Sequence, residues 1–391
     1  MRCFHRLFTV GIGVLVFGWS YANAAFTKDI LSSGCKNQYC VAVIDAGSSG
    51  SRLHIYSYSL DNQKNPTEII EQWVKKIKPG FANIGMTQAE VDSYLTSLFV
   101  DASVSDIPVY FYATAGMRLL SAPKQQTLYT YLQNWFNRHP SWHLQAAKTL
   151  TGKQEGIYGW LTVNYQVGAL DKPLKKMIGM MDMGGASVEI VFPIADRKMV
   201  ADADSATIKV RGKEVTLYSH SFLGLGQTEL SHQFLDNPAC FSHGYLMPEE
   251  EKGEGNAYFC QSNISVLVNS VHHVKSVVGR LIHLNNVSQW YVMGGVVDML
   301  HSIPFQHLES TFTNRWLLDY ANQNLCQQDW QYLQTLYPTD DYLYGYCLFA
   351  SYYYALMVHG YSFDASMPIH YFDGTNPDWT MGVVLSITSG Q

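Results

Sequence analysis

"VIDAGSSGSR", Val43 to Arg52, carries an apolar run into a tight turn of Gly and Ser, with Asp45 at the mouth of the turn and Arg52 leaving it. Cys40–Ile44 is apolar and β-branched and reads as a buried strand. His54–Tyr58 resumes with polar/apolar alternation, so the turn joins two strands. "MMDMGGASVEIVF", Met180 to Phe192, repeats the plan: a strand over Met177–Met181, a Gly turn led by Asp182, and a strand over Ser187–Pro193. The unit strand, Asp-x-Gly-[Ser/Gly]-[Ser/Ala]-[Gly/Ser], strand thus occurs twice, which marks an internal repeat. Two lobes facing a cleft, each lending one turn, is the architecture this implies. The first lobe is expected over 25–150 and the second from Thr151 onward.

Between and beyond these units the pattern is that of an α/β chain. Helices are expected over Thr87–Val100, Leu128–Phe136 and Ile157–Tyr165, with Glu155 opening the last of them. Ile107–Gly116 reads as a buried strand ending in a turn. Arg211–Leu217, Tyr218–Phe222 and Trp290–Met293 are strand-like. Tyr342–Val358 is a long aromatic helix, and Asp378–Thr388 is either a helix or a strand.

The chain has 391 residues, enough for two domains. It is 47% hydrophobic and 15% charged, with a formal net charge of −6. That balance excludes sequence-independent nucleic-acid binding. It leaves room for a small anionic ligand, because a local nest of N–H groups opposes the global sign. Arg2 and Arg6, the apolar run Leu7–Trp19, and Ala22 and Ala24 before Ala25 read as a signal peptide over 1–24. Of the seven Cys, loss of that segment removes Cys3 and leaves six. In an exported chain these read as disulfides, sequential pairing (35–40, 240–260, 326–347) being the simplest of the 15 arrangements. No Cys-x-x-Cys spacing supports zinc instead.

Glycine-rich turns of this kind hold phosphate through backbone N–H groups, and side chains must stay clear of it. Gly47, Gly50, Gly184 and Gly185 permit that approach, while Ser48, Ser49, Ser51 and Ser187 add hydroxyls. Two facing turns hold two successive phosphates of one polyphosphate. Phosphate brings a hard cation such as Mg²⁺, which keeps several waters. Asp45 and Asp182 are placed to accept hydrogen bonds from those waters, and Arg52 and Arg118 to clamp phosphate oxygens. Either turn alone reads as an ordinary hairpin; the doubling, with a leading Asp each time, favours phosphate. With the cysteines paired, no Gly-x-Ser-x-Gly elbow and no Walker loop, water is the expected attacker and needs a base. Glu155 is one reading of that base; a helix-terminal Glu that only favours the macrodipole is the other.

Taken together, "VIDAGSSGSRLHIY", "YFYATAGMRLL", "TGKQEGIYGWLTVNY", "MDMGGASVEIVF" and "DWTMGVVL" resemble, in order, the five motifs of the ecto-nucleoside triphosphate diphosphohydrolases, the apyrases, and in particular their soluble bacterial members. The resemblance implies two actin-like (ribonuclease H-like) lobes of mixed sheets flanked by helices, with the chain returning to the first lobe at about 365–391. It implies removal of the terminal phosphate of nucleoside tri- and diphosphates with Mg²⁺ or Ca²⁺, Mn²⁺ being a further candidate. By the same resemblance Glu155 is the base, Ser187 helps hold the attacking water, and Asp45, Thr114, Asp182, Glu155 and Trp379 surround the hydrated metal. Ser48, Ser49, Gly50, Ser51, Gly184, Gly185 and Ala186 match the phosphate loops. Tyr346 matches the aromatic under the nucleobase, or else is a core Tyr of an aromatic helix. Where the pattern usually has Gln, this chain has Glu189, a second carboxylate expected to raise the pKa of the site. The C-terminal membrane helix of the cell-surface relatives has no counterpart, so a secreted or periplasmic monomer without a membrane anchor is expected. The competing readings are an exopolyphosphatase or alarmone hydrolase, favoured by Glu189, a sugar kinase, and a nucleotide-binding protein without turnover.

Overall fold

The computed structural model describes residues 34–387 except 103, 105, 249, 286 and 306–309. The signal-peptide expectation lies outside the described residues. The first sheet is built from β1 (Tyr39–Ala46), β2 (Ser51–Leu60), β3 (Pro66–Ile77), β4 (Ile107–Ala113) and β5 (Trp142–Thr149). Its order is β3-β2-β1-β4-β5. β1, β2 and β3 are antiparallel neighbours, and β4 and β5 run parallel to β1. The second sheet holds β6 (Gly179–Met183), β7 (Ser187–Pro193), β8 (Ser205–Val210), β9 (Lys213–Leu223), β10 (Trp290–Gly294), β11 (Thr311–Thr313) and β12 (Pro368–His370). Its order is β11-β12-β10-β6-β7-β9-β8. Stripped of its edge strands β8 and β11, it has the same order and the same senses as the first, with β6, β7 and β9 antiparallel and β10 and β12 parallel to β6. The repeat expected from two hairpins is therefore a repeat of whole sheets, in the ribonuclease H-like arrangement.

Helices α1 (Gln88–Phe99) and α2 (Ala122–Asn137) bury Leu95, Leu98, Leu132 and Trp135 against the first sheet. Helix α3 (Gly152–Gln166) starts one turn earlier than expected. Thr151 and Gln154 form a reciprocal capping box there, and Glu155 falls inside the first turn. Helix α4 (Gln227–His232) follows β9; α5 (Ala257–Ser270) and α6 (Tyr346–Tyr354) cover the second sheet. The aromatic segment is α-helical only to Tyr354 and continues as π-helix over Ala355–Gly360. The last helix, α7 (Thr380–Ile387), resolves the helix-or-strand ambiguity at the C-terminus. The chain comes back to the first sheet later than residue 365: Pro368–His370 still pairs with β10 in the second, and α7 is the part that meets β1, β2 and β3. The two strands expected over 211–222 are one, β9, and Arg211 and Gly212 form the turn that joins it to β8.

All six described cysteines pair as Cys35–Cys40, Cys240–Cys260 and Cys326–Cys347. No described helix is long and apolar enough to cross a membrane.

Between the sheets lies a shared core in which Trp160 and Val163 of α3 and Val383 and Val384 of α7 meet Val41 and Val43 of β1 and Met180 of β6. The two helices touch through a glycine. A Cβ on Gly382 would stand 2.0 Å from the Tyr158 carbonyl oxygen. Backbone cannot yield as a side-chain tip does, so Gly382→Ala is expected to cost about 1–3 kcal/mol. A lowered Tm in thermal unfolding checks this, and an unchanged Tm contradicts the close approach.

Candidate active site

Both hairpin turns open into one cleft between the sheets, about 1100 Å³ in volume. In the first turn Gly47, Ser48 and Ser49 line it; in the second, Gly184, Gly185, Ala186 and Ser187. The turns approach so closely that a Cβ on Gly185 would lie 2.8 Å from Ser48 Oγ. The second turn is held from behind by α4, whose Gln227 and Thr228 N–H groups donate to the Gly184 and Gly185 carbonyls at 2.9 and 2.8 Å. In the first, Asn83 Nδ2 donates to Ser48 O at 3.0 Å.

The register of the two hairpins decides the electrostatics. Asp45 stands opposite Arg52 across β1 and β2, and Asp182 stands opposite Glu189 across β6 and β7. The same position therefore meets a cation in one copy and an anion in the other. Arg52 Nη1 donates to Asp45 Oδ2 at 2.8 Å. Burial, together with the nearby Asp378, still pushes the Asp45 carboxyl up to about 6. Burial and the Glu189 charge hold Asp182 well above the usual carboxylate range.

Glu155, buried in the first turn of α3, points into the same cleft. One oxygen each of Glu155, Asp182 and Glu189 lie within 4.8 Å of one another. Burial, then the Glu189 charge, raise Glu155 well above its ordinary value. Arg118, in the helical turn Ala115–Arg118 after β4, offsets this. Its Nη2 stands 2.9 Å from Glu155 Oε2 and 3.4 Å from Glu189 Oε1, and it donates to Ser187 Oγ at 2.8 Å. Ser187 and Ser221 donate to Glu189 Oε1 at 2.7 and 2.6 Å.

Most of the site foreseen from sequence converges here. Asp45, Arg52, Thr114, Glu155, Asp182 and Trp379 all line the cleft. Five of the expected residues are placed otherwise. Ser51 is fully buried, with its hydroxyl hydrogen-bonded to Tyr94 at 2.8 Å, and Gly50 packs against the Ile77 carbonyl; neither lines the cleft. Arg118 does not line it either: its Nη2 is engaged by Glu155 and Glu189, and its Nε and Nη1 are buried without a hydrogen-bond partner among the described residues. Glu189 does not line the cleft and sits behind Ser187, which donates to it, beside the cleft-lining Glu155 and Asp182. Tyr346 borders the cleft, but its ring is buried edge-on against Phe305 and its hydroxyl donates to Asp340 at 2.9–3.0 Å. The half-exposed Tyr342 beside it is the more accessible ring.

Sequence reasoning missed His54, Tyr56 and Asp378, which also line the cleft. Strand alternation was the available signal, because residues i, i+2 and i+4 share a face and Arg52, already singled out, is followed at that spacing by His54 and Tyr56.

A hard divalent cation suits this donor set. The carboxylate oxygens Asp45 Oδ1 and Glu189 Oε2 are buried without a hydrogen-bond partner among the described residues, Glu155 Oε2 is met by Arg118 alone, and such cations take oxygen ligands.

Residues 32–238 match the GDA1/CD39 (nucleoside phosphatase) family. The chain belongs to that family. A similar relative is ectonucleoside triphosphate diphosphohydrolase 1 of Mus musculus, 27% identical over 89% of this chain and 80% of that protein. Among solved structures, nucleoside triphosphate hydrolases from Neospora caninum superpose with a TM-score of 0.62 at 14% identity, covering 94% of this chain and 96% of theirs. A Ppx/GppA protein of Aquifex aeolicus superposes with a TM-score of 0.53 at 15% identity, over 89% and 97%. Both structures share the actin-like fold of this family member.

Replacing Glu189 by Gln removes a negative charge beside Glu155 and releases Arg118 toward it. Both changes favour the ionised Glu155, so the acid limb of the pH–rate profile is expected to move to lower pH in Glu189→Gln. A superimposable profile contradicts the coupling.

Proposed function

We propose that the protein hydrolyses the terminal phosphate of nucleoside tri- and diphosphates, ending at the monophosphate, by in-line attack of water. The observation that carries this reading is Glu155: a buried carboxylate with a raised pKa, opening at the place where two glycine turns meet. The membership of a nucleoside phosphatase family supports it.

In this reading the N–H groups and hydroxyls of Gly47, Ser48 and Ser49 receive one phosphate, and those of Gly184, Gly185 and Ala186 the next. Glu155 accepts one proton from the water as its oxygen bonds to the terminal phosphorus. The bond from that phosphorus to the leaving nucleotide's oxygen breaks, and inorganic phosphate departs. Ser187, fixed by Arg118 and Glu189, orients the water. Asp45, Thr114, Asp182 and Trp379, with Glu155, would surround a hydrated Mg²⁺ or Ca²⁺, which when bound draws charge from the phosphate oxygens. Tyr342, half-exposed beside the cleft, offers an aromatic face to a nucleobase of either class. The three disulfides support folding in an oxidising compartment, hence secretion or a periplasmic location.

Glu189, in place of the usual Gln, favours long-chain polyphosphate as the competing substrate. With Mg²⁺, the full chain is expected to release phosphate from ATP and ADP and none from AMP, with polyphosphate turned over less than about one-tenth as fast as ATP. Chelation by EDTA is expected to abolish release. Polyphosphate turned over faster than either nucleotide overturns the assignment.

A further inference from the structure

We propose that His54 is a positioning residue of the cleft: with Tyr56 it brackets Trp379 and fixes the indole in the wall. This rests on the nucleotide reading above.

β2 sends Arg52, His54 and Tyr56 to one face, and all three line the cleft. His54 is buried. Its Nδ1 lies 2.6 Å from Glu71 Oε1 on the neighbouring strand β3, and its Nε2 lies 3.4 Å from Asp378 Oδ2. Nδ1 is the hydrogen-bonded nitrogen, while Nε2 meets Asp378 at ion-pair distance without a hydrogen bond, so the imidazole bridges the sheet edge to the residue before Trp379. Two residues along the same strand, the Tyr56 hydroxyl is hydrogen-bonded to Thr380 Oγ1 at 2.8 Å. That is the residue after Trp379. One strand thus grips the chain on both sides of a single indole.

The grip is closed from the opposite lobe. Thr162 Oγ1 of α3 donates to the Asp378 carbonyl at 3.1 Å, and Thr380 N–H donates to Asp378 Oδ1 at 2.9 Å. The indole, 4% exposed, stacks on Tyr158 of α3 with ring centroids 6.4 Å apart and planes inclined by 22°. Trp379 is therefore oriented by both lobes at once, and His54 is the contact that ties it to the first.

Packing alone does not account for this arrangement. Apolar residues of similar size would seat α7 against β2 without desolvating an ionic group, and buried ion pairs are poor sources of stability. What the pair supplies is direction. Side chains that act through one another lose additivity, and a double-mutant cycle reads that loss.

The test is calorimetric binding of Mg²⁺ with β,γ-imido-ATP to the full chain, for the native protein, His54→Gln, Trp379→Ala and the double variant, with Tm recorded for each. His54→Gln is expected to weaken binding about 3–10-fold, and to weaken it less than about twofold further once Trp379 is Ala. Tyr56→Phe, which removes a single oxygen, is expected to follow the same pattern with a smaller loss. Losses that multiply in the double variants overturn the proposal, as does a lowered Tm with affinity unchanged in His54→Gln. Native protein that fails to bind the analogue overturns the nucleotide reading instead, and is distinguished by that result alone.

Discussion

Everything at the centre of this molecule depends on Arg118. Three carboxylates, Glu155, Asp182 and Glu189, are brought within 4.8 Å in a buried place, and like charges so confined repel. One guanidinium from the first sheet's side reaches Glu155, Ser187 and Glu189 on the second. All of these contacts run through one nitrogen, Nη2, while Nε and Nη1 are buried without a hydrogen-bond partner among the described residues. The lobes are thus joined at the very point where the chemistry is proposed. Removing one partner from such a buried set typically costs about 3–5 kcal/mol, because the remaining charges are left uncompensated.

The two halves share a sheet order and a turn, yet they are not electrostatically equivalent. In the first, Asp45 is partnered by Arg52; in the second, Asp182 faces Glu189. A repeat fold needs only strands and glycines in the right order. The asymmetry comes from one residue in each second strand, which leaves negative charge concentrated on one side of the cleft and calls for a cation there. The unpartnered oxygens of Asp45 and Glu189 express the same demand.

Much of this was legible in the sequence, for identifiable reasons. The doubled hairpin was visible because buried strands read as apolar runs and their turns require glycine. The start of α3 was signalled by Thr151 and Gln154, a capping pair, but Gly152, Gly156 and Gly159 lower helix propensity and masked it. Strand β3 has a partly exposed, irregular pattern broken by register shifts, and gave little periodicity to read. Strand alternation places Ser51 away from the cleft, because Arg52, His54 and Tyr56 take the positions that face it. The partners of Arg118 lie in other elements, and no local pattern could name them. The return of the chain to the first sheet was placed too early because a three-residue strand, β12, leaves almost no signature.

The central claim is that Glu155 acts as the base toward water at the terminal phosphate. Its most direct test is Glu155→Gln, which keeps the shape and removes the acceptor, with Mg²⁺ and ATP under single-turnover conditions and nucleotide affinity measured in parallel. The account predicts a rate lowered about 10²–10⁴-fold with affinity held within a few-fold. Phosphate release at the native rate would contradict it and move the base to another group in the cleft.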